Sequence, residues 1–545
     1  MGLRVFLLIF AVLLGASSHA WAGPWAITKP EWTAEDEQGY SDFIQRIGES
    51  GCETPDDCIN SDANPYRRTD GGRGIPFNAD CADLVYMFRA YYAWKNGLPF
   101  TYITGVYPRG GGDVRFSRGG NRVAGRHSVL TGANGRSIVA AVKGAISSGS
   151  FRVGPDIDEN PIHDLYPVKI QPGSVRPGTA IYDVNGHVAL VYKVGDDGRV
   201  YYMDAHPDFT LTRSVYGAQF GRDEPKLGAG LKNFRPIRLV GYRQRGDGVL
   251  VGGRIVVAKD HEIADFSDEQ YFGTHPDPSG NWKKGEFRHN DISVGFYEYV
   301  RVKMANGKLV FNPVVELKST VKTLCNDLYD RARFVDIAIE ANIHRKSQPP
   351  RLPNNIYGTD NMEWEIYSTP SRDARLKTAF KALRDDIAHL TELWIQRDDR
   401  VSYDGLDLKA DLLDAYDKAS SACAVSYINS SGQRVHIPFE EARQRLFRMS
   451  FDPYHCIERR WGASSEHELA SCQDDRTKER WYEAQQRLRN QVDRTYEARM
   501  DFSLSQLEDG APGSGAEQPP DTDVRAVIAN MGYRVPFKGM APPGY

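Results

Sequence analysis

The chain has 545 residues, 41% hydrophobic and 26% charged, an ordinary globular composition spread over more than one domain. Lys and Arg number 68 against 72 Asp and Glu, and the net charge of −4 argues against bulk electrostatic binding of nucleic acid. Only the first stretch is apolar enough to engage a membrane, so a multi-pass protein is excluded.

Residues 1–22 read as a signal peptide. Arg4 is followed by an apolar run from Val5 to Leu14, and Ala20-Trp21-Ala22 is a small-x-small cleavage site. The expected mature chain starts at Gly23, exported to the periplasm or beyond the cell, with no integral span after cleavage. The competing reading is an uncleaved anchor. No cysteine sits near the cleavage site to carry a lipid.

Export makes the 7 cysteines informative. In an oxidising compartment most pair, and an odd number leaves one thiol free. Six cysteines allow 15 connectivities, which the sequence does not assign; proximity favours Cys52–Cys58 and Cys456–Cys472, which leaves Cys325 with Cys423 and Cys81 unpaired in that scheme. No pair has the CxxC spacing of a zinc site and no histidine cluster accompanies them, so no metal or other cofactor is expected.

Phe77 to Trp94 (FNADCADLVYMFRAYYAW) predicts a helix with Leu84, Val85, Phe88 and Tyr92 on one face and Asn78 or Asp80 as its cap. Cys81 then falls in the first turn, where unpaired N–H groups and a partial positive charge favour thiolate and could receive an oxyanion. The bland alternative is a buried structural cysteine. Further on, PRGGGDVRFSRGGNRVAGRH carries Arg109, Arg115, Arg118, Arg122 and Arg126. These suit a flexible lid whose guanidinium groups grip carboxylates, or simply a solvated surface loop.

Pro177 to Asp208 reads as three strands, with turns at Asn185-Gly186 and Gly195-Asp196-Asp197-Gly198. His187 opens the middle strand and His206 closes the third. A second turn of two or four residues pairs Val194 with Arg199 and sets His187 opposite His206, close enough for one imidazole to orient the other. Asp204 shares the His206 face diagonally and is the reserve orienter; an odd turn reopens the choice. A free thiol on a helix tip and two facing imidazoles make a nucleophile, a base and an orienter.

The segment DCADLV, preceded by NPYRR and followed by PGT-x-IYD and GHVALV, resembles the NlpC-type cysteine peptidases of the papain-like superfamily. The resemblance covers about residues 60–210. It matches Asp80 before Cys81 and Gly186 before His187, and it implies His206 as the third polar residue and Tyr66 as a contributor near the oxyanion. It also implies hydrolysis of amide bonds in bacterial cell-wall peptides. The chain departs from the family in having Ala82-Asp83 after the cysteine and a long insertion from Thr101 to Pro172.

The expected fold class is therefore α+β, a papain-like domain over 30–245 with its helix packed on an antiparallel sheet, followed by a mainly α-helical bundle. A β-rich connection over 246–314 includes a hairpin at Tyr297 to Val315 about Asn306-Gly307. The bundle occupies 315–505. Leu376, Phe380, Leu383, Ile387, Leu390 and Trp394 form one helical stripe, Leu317, Val321, Leu324 and Leu328 a second, and Trp481, Leu488, Val492 and Tyr496 a looser third. Asp509 to Asp521 suits a flexible linker inside a 506–545 tail. The leading expectation is an exported cysteine hydrolase acting on peptidoglycan, with a protein partner for the bundle. The alternatives are a transglutaminase-like acyltransferase using Cys81, His187 and Asp204, and an inert envelope scaffold.

Overall fold

A computed structural model describes residues 23–67, 77–155, 161–492 and 499–531; the expected signal peptide and Tyr496 lie outside them. The described chain is a mixed helix and sheet structure. Its first helices are α1 (Ala34–Glu49), α2 (Pro55–Asn60) and α3 (Cys81–Lys95). Asp80 caps α3 by accepting from the Ala82 and Asp83 amides at 3.1 and 3.2 Å, and Asp83 accepts in return from the Asp80 amide. That reciprocal cap sets the helix to begin at Cys81.

The Gly/Arg stretch forms the tip and second strand of a hairpin, β1 (Phe100–Pro108) and β2 (Asn121–Val129), followed by α4 (Gly135–Ala145). The main sheet is antiparallel, built from β3 (Leu165–Pro167), β4 (Ala180–Asp183), β5 (His187–Val194), β6 (Val200–Ala205), β7 (Leu211–Val215) and β8 (Gly230–Phe234) in the order β3-β8-β4-β5-β6-β7. Alternation divides its residues between two cores. Tyr182, Val188, Leu190 and Met203 pack with Leu84, Val85 and Phe88 of α3, while Ile181, Ala189, Val191 and Tyr202 belong to the core on the other face.

The segment after the sheet adds short strands and α5 (Glu269–Phe272). The hairpin expected at Tyr297 to Val315 is instead α6 (Phe296–Met304). Phe296, Tyr299, Val300 and Met304 are buried at helical spacing beneath the sheet, so burial on a 3.6-residue period overrides the strand propensity of the run. Asn306 and Gly307 take positive φ of 56° and 70° and stop the helix rather than reverse a ribbon.

The helical region then runs through α7 (Pro313–Glu340), α8 (Met362–Tyr367), α9 (Pro370–Ile395) and α10 (Leu408–Ser421). Asn312 caps α7, and both long helices start with proline at a position that has no amide partner to lose. The two stripes read from the sequence meet as Leu317, Val321, Leu324 and Leu328 against Phe380, Leu383 and Ile387. A hairpin, Ala424–Ile428 with Arg434–Pro438, is inserted into this region and packs on α7. Disulfides join Cys52 to Cys58, Cys325 to Cys423 and Cys456 to Cys472, and Cys81 is free. The 509–521 segment lies against the bundle, with Asn490 donating to the carbonyls of Ala516 and Glu517, and it leads to the helix Val524–Ala529, whose Val524 and Ile528 are wholly buried.

Candidate functional site

The loop between β5 and β6 is odd, pairing Val194 with Val200, so it does not give the register with Val194 opposite Arg199. A bulge between Val191 and Lys193 compensates, and beyond it Val191 pairs with Tyr202 and Leu190 with Met203. The corrected register brings His187 back towards His206, and their rings stack with centroids 5.8 Å apart and planes 12° apart.

Stacking is not hydrogen bonding, however. The partner of His187 is the diagonal residue, Asp204, whose Oδ2 lies 2.6 Å from Nε2. All three residues are at least 94% buried. Thr212, opposite Asp204 on β7, donates its hydroxyl proton to Asp204 Oδ1 and therefore accepts from His206 Nε2 at 3.0 Å. The network gives His187 a proton on Nε2 and a lone pair on Nδ1, the tautomer of a base. Burial opposes a charge on Asp204, but His206, the His187 hydrogen bond and Arg375 together hold its carboxyl well below the usual range. Burial, aided by Arg375, lowers His187 in spite of Asp204, and burial with Arg372 lowers His206 strongly. Both imidazoles are neutral at neutral pH.

Cys81 reaches β5 from the α3 side, where the Val188 amide hydrogen-bonds its sulfur. Among the described residues no hydrogen bond joins the thiol to His187. The expectation that the helix end favours thiolate is not met. Burial first, then the charges of Asp80, Asp83 and Asp204, raise the thiol well above its ordinary value against the Val188 amide. The oxyanion expectation changes too: the Ala82 and Asp83 amides donate to Asp80, which leaves the amide of Cys81 itself at the helix end. Burial and the Asp80 charge push Asp83 up to about 8.

Tyr66 is not near the thiol. Its hydroxyl bonds Asn96, which caps the far end of α3, and its ring packs among Phe43, Tyr91 and Tyr92. At a rise of about 1.5 Å per residue the two ends of that helix are roughly 20 Å apart. The five arginines have different surroundings. Arg126 is structural, held by Asp164 and the Ile162 carbonyl. Arg109 turns back to the Asn121 carbonyl, and Arg118 and Arg122 are exposed. Arg115 pairs with Asp113 at 2.8 Å and lies 3.7 Å from Glu365 of α8, reaching the helical region.

The roof of the site comes from residues that carried no signal. Phe116 stacks on Tyr357 with centroids 6.0 Å apart and sits against Gly186, where a Cβ would meet its ring at 2.9 Å and φ is +84°. Glycine before His187 is thus required twice over. Phe334 of α7 meets the His206 ring edge-on at 5.0 Å, and Arg372 of α9 lies 3.7 Å over Phe334 while pairing with Asp208 at 3.4 Å. Thr212 could have been found by continuing the strand alternation into β7; the α9 arginines could not. The described residues that come together as metal ligands would, Cys456, Cys472 and Asp474, contain a disulfide, and Asp474 accepts from the Cys456 amide.

Chemically, the arrangement offers a protonated thiol at a helix end, a neutral imidazole with one nitrogen anchored to a carboxylate, and a backbone amide beside the sulfur. No protein-family model, curated protein or solved structure matches the chain.

Proposed function

We propose that the protein is a cysteine amide hydrolase of papain-like type, exported and acting on peptidoglycan stem peptides. The observation that carries this reading is the buried His187–Asp204 hydrogen bond of 2.6 Å beside the free Cys81. Asp204, rather than His206, serves as the orienter. With the thiol raised and the imidazole lowered, attack proceeds from a neutral pair: Cys81 adds to the carbonyl carbon as His187 Nδ1 takes its proton. The imidazolium then protonates the leaving amine, and water releases the acyl group from sulfur. Asp204 holds the ring and stabilises its transient charge. Substrate binding closes the thiol onto the imidazole, as catalytic hydrogen bonds commonly tighten in the substrate complex. The peptidoglycan substrate rests on the family resemblance of residues 60–210. The three disulfides suit an oxidising compartment outside the cytoplasm.

The test incubates purified peptidoglycan sacculi with the protein and follows new amino termini and fragment masses. Wild type is expected to release amine-ended fragments, and Cys81→Ala to release none. Equal behaviour of the two proteins would leave the inert scaffold as the reading. The Asp204 contact suits acyl transfer as well, and added methylamine separates the two: incorporation of methylamine in place of water marks a transglutaminase-like enzyme.

A further inference from the structure

Between the β6–β7 side of the sheet and helices α7 and α9 lies a cavity of about 640 Å³. Its size is within the range of small-molecule pockets, roughly 300–1,000 Å³. Asp204 and His206 form part of one wall.

Three guanidinium groups that line this cavity carry a buried nitrogen with no hydrogen-bond partner: Arg301, whose Nη atoms are held by Glu316 and the Asp197 carbonyl and which lacks a partner only at Nε, and two others. Arg331 of α7 has a side chain only 3% exposed; its Nε and Nη2 hold Asp373 at 2.9 and 3.1 Å, and its Nη1 is unpartnered. Arg375 of α9 also has an unpartnered, buried Nη1. Buried donors are nearly always satisfied, and a buried cation lacking its full set of acceptors calls for a ligand.

The acids facing this cavity leave that demand unmet. Asp204 is engaged by His187 and Thr212, and Glu316 and Glu298 by Arg199, Arg301 and Arg400. Burial, with Asp330 beside it, pushes Asp327 up to about 7. Burial also pushes Asp330 to about 7 and Asp386 to about 6. Near pH 7 Asp327 and Asp330 are part-ionised and Asp386 is mostly ionised, and such acids repel a dianion more than a monoanion. Apart from Asp386 and His389, the rest of the α9 wall is apolar, with Leu383, Ile387 and Leu390 leading away from Arg375.

We propose that this cavity binds an amphipathic monocarboxylate, its head forked by Arg331 and Arg375 and its apolar chain lying along α9. Arginine forks are matched to carboxylate geometry, and a charged head followed by an apolar wall selects a molecule of the same polarity. The proposal does not depend on the chemistry of Cys81.

Calorimetric titration of the full-length protein with octanoate and with 1-octanol tests it, since the pair share a chain length and differ in charge. Octanoate is expected to bind one site at least tenfold more tightly than octanol and to raise the thermal unfolding midpoint. Arg375→Gln should weaken octanoate at least tenfold and leave octanol unchanged, and Ala382→Phe should block both by filling the cavity. Equal affinity for octanoate and octanol, or no binding of either, overturns the proposal on wild-type protein alone. Octanoate binding that survives both substitutions in folded variants overturns it too, because the ligand would then lie elsewhere.

Discussion

At the scale of single residues, the choice of orienter in the proposed hydrolase turns on one hydrogen bond. His206 has the better pairing by register and stacks on His187, yet its ring nitrogen is directed to Thr212, while Asp204 meets His187 at 2.6 Å. A carboxylate diagonal to an imidazole reaches it because the side chains lean along the strands, and it is favoured because it can stabilise imidazolium where a second neutral imidazole cannot. Asp204→Asn is therefore expected to lower kcat by about 10⁴-fold, and His206→Ala by about tenfold or less, in the release of amines from sacculi. The reverse order would make His206 the orienter. The positions of Cys81 at the start of α3 and His187 at the start of β5 are legible in the sequence because helix caps and tight turns are local. The diagonal preference is not, since it depends on a bulge and on the hydroxyl of a fourth strand.

At the scale of elements, α7 carries a stripe of leucines on one face and acids where it crosses β7. The leucine stripe is a local pattern and was read correctly. The environment of the acids is not local: Asp327 lies under Ser214 and close to Asp330 and Asp204, all brought there by packing. Its carboxyl, ordinarily titrating near 4, is pushed up to about 7, so between those pH values the folded chain holds a proton that the unfolded chain has released. Stability must fall as pH rises across that window. Asp327→Asn removes the effect and is expected to raise the stability read from urea unfolding at pH 8 by on the order of 2 kcal/mol, with little change at pH 4. An equal gain at both pH values would show that the acid is not titrating there. α6 teaches the converse lesson: its β-prone run became a helix because Phe296, Tyr299 and Val300 are needed on one buried face.

At the scale of the whole molecule, the helical region roofs the site. Phe334 and Arg372 close over His206 and Asp208, residues 164 positions away along the chain in the case of the Arg372–Asp208 pair. The chain then returns through 509–521 to lay Val524 and Ile528 into the core formed by α7, α9 and α10. A segment with the composition of a linker thus completes a hydrophobic core. Ile528→Ala is expected to cost roughly 2–5 kcal/mol in urea unfolding, the range for emptying a buried aliphatic site. A loss near zero would mean that the terminal helix contributes little to the core.

By itself the sequence determined what short-range physics controls: the cap that begins α3 at Cys81, the strands about Gly186-His187 and the leucine stripes; proximity favoured one cysteine pairing among 15, and the structure assigns it. Tertiary structure alone decided which residue holds His187, that the thiol rests protonated, that Tyr66 lies away from it, and that α9 walls a cavity behind the imidazoles. Caps, turns and periodic stripes are written within a few residues of one another. Charge environments and roofs are sums over elements far apart in the chain, and no local spacing encodes them.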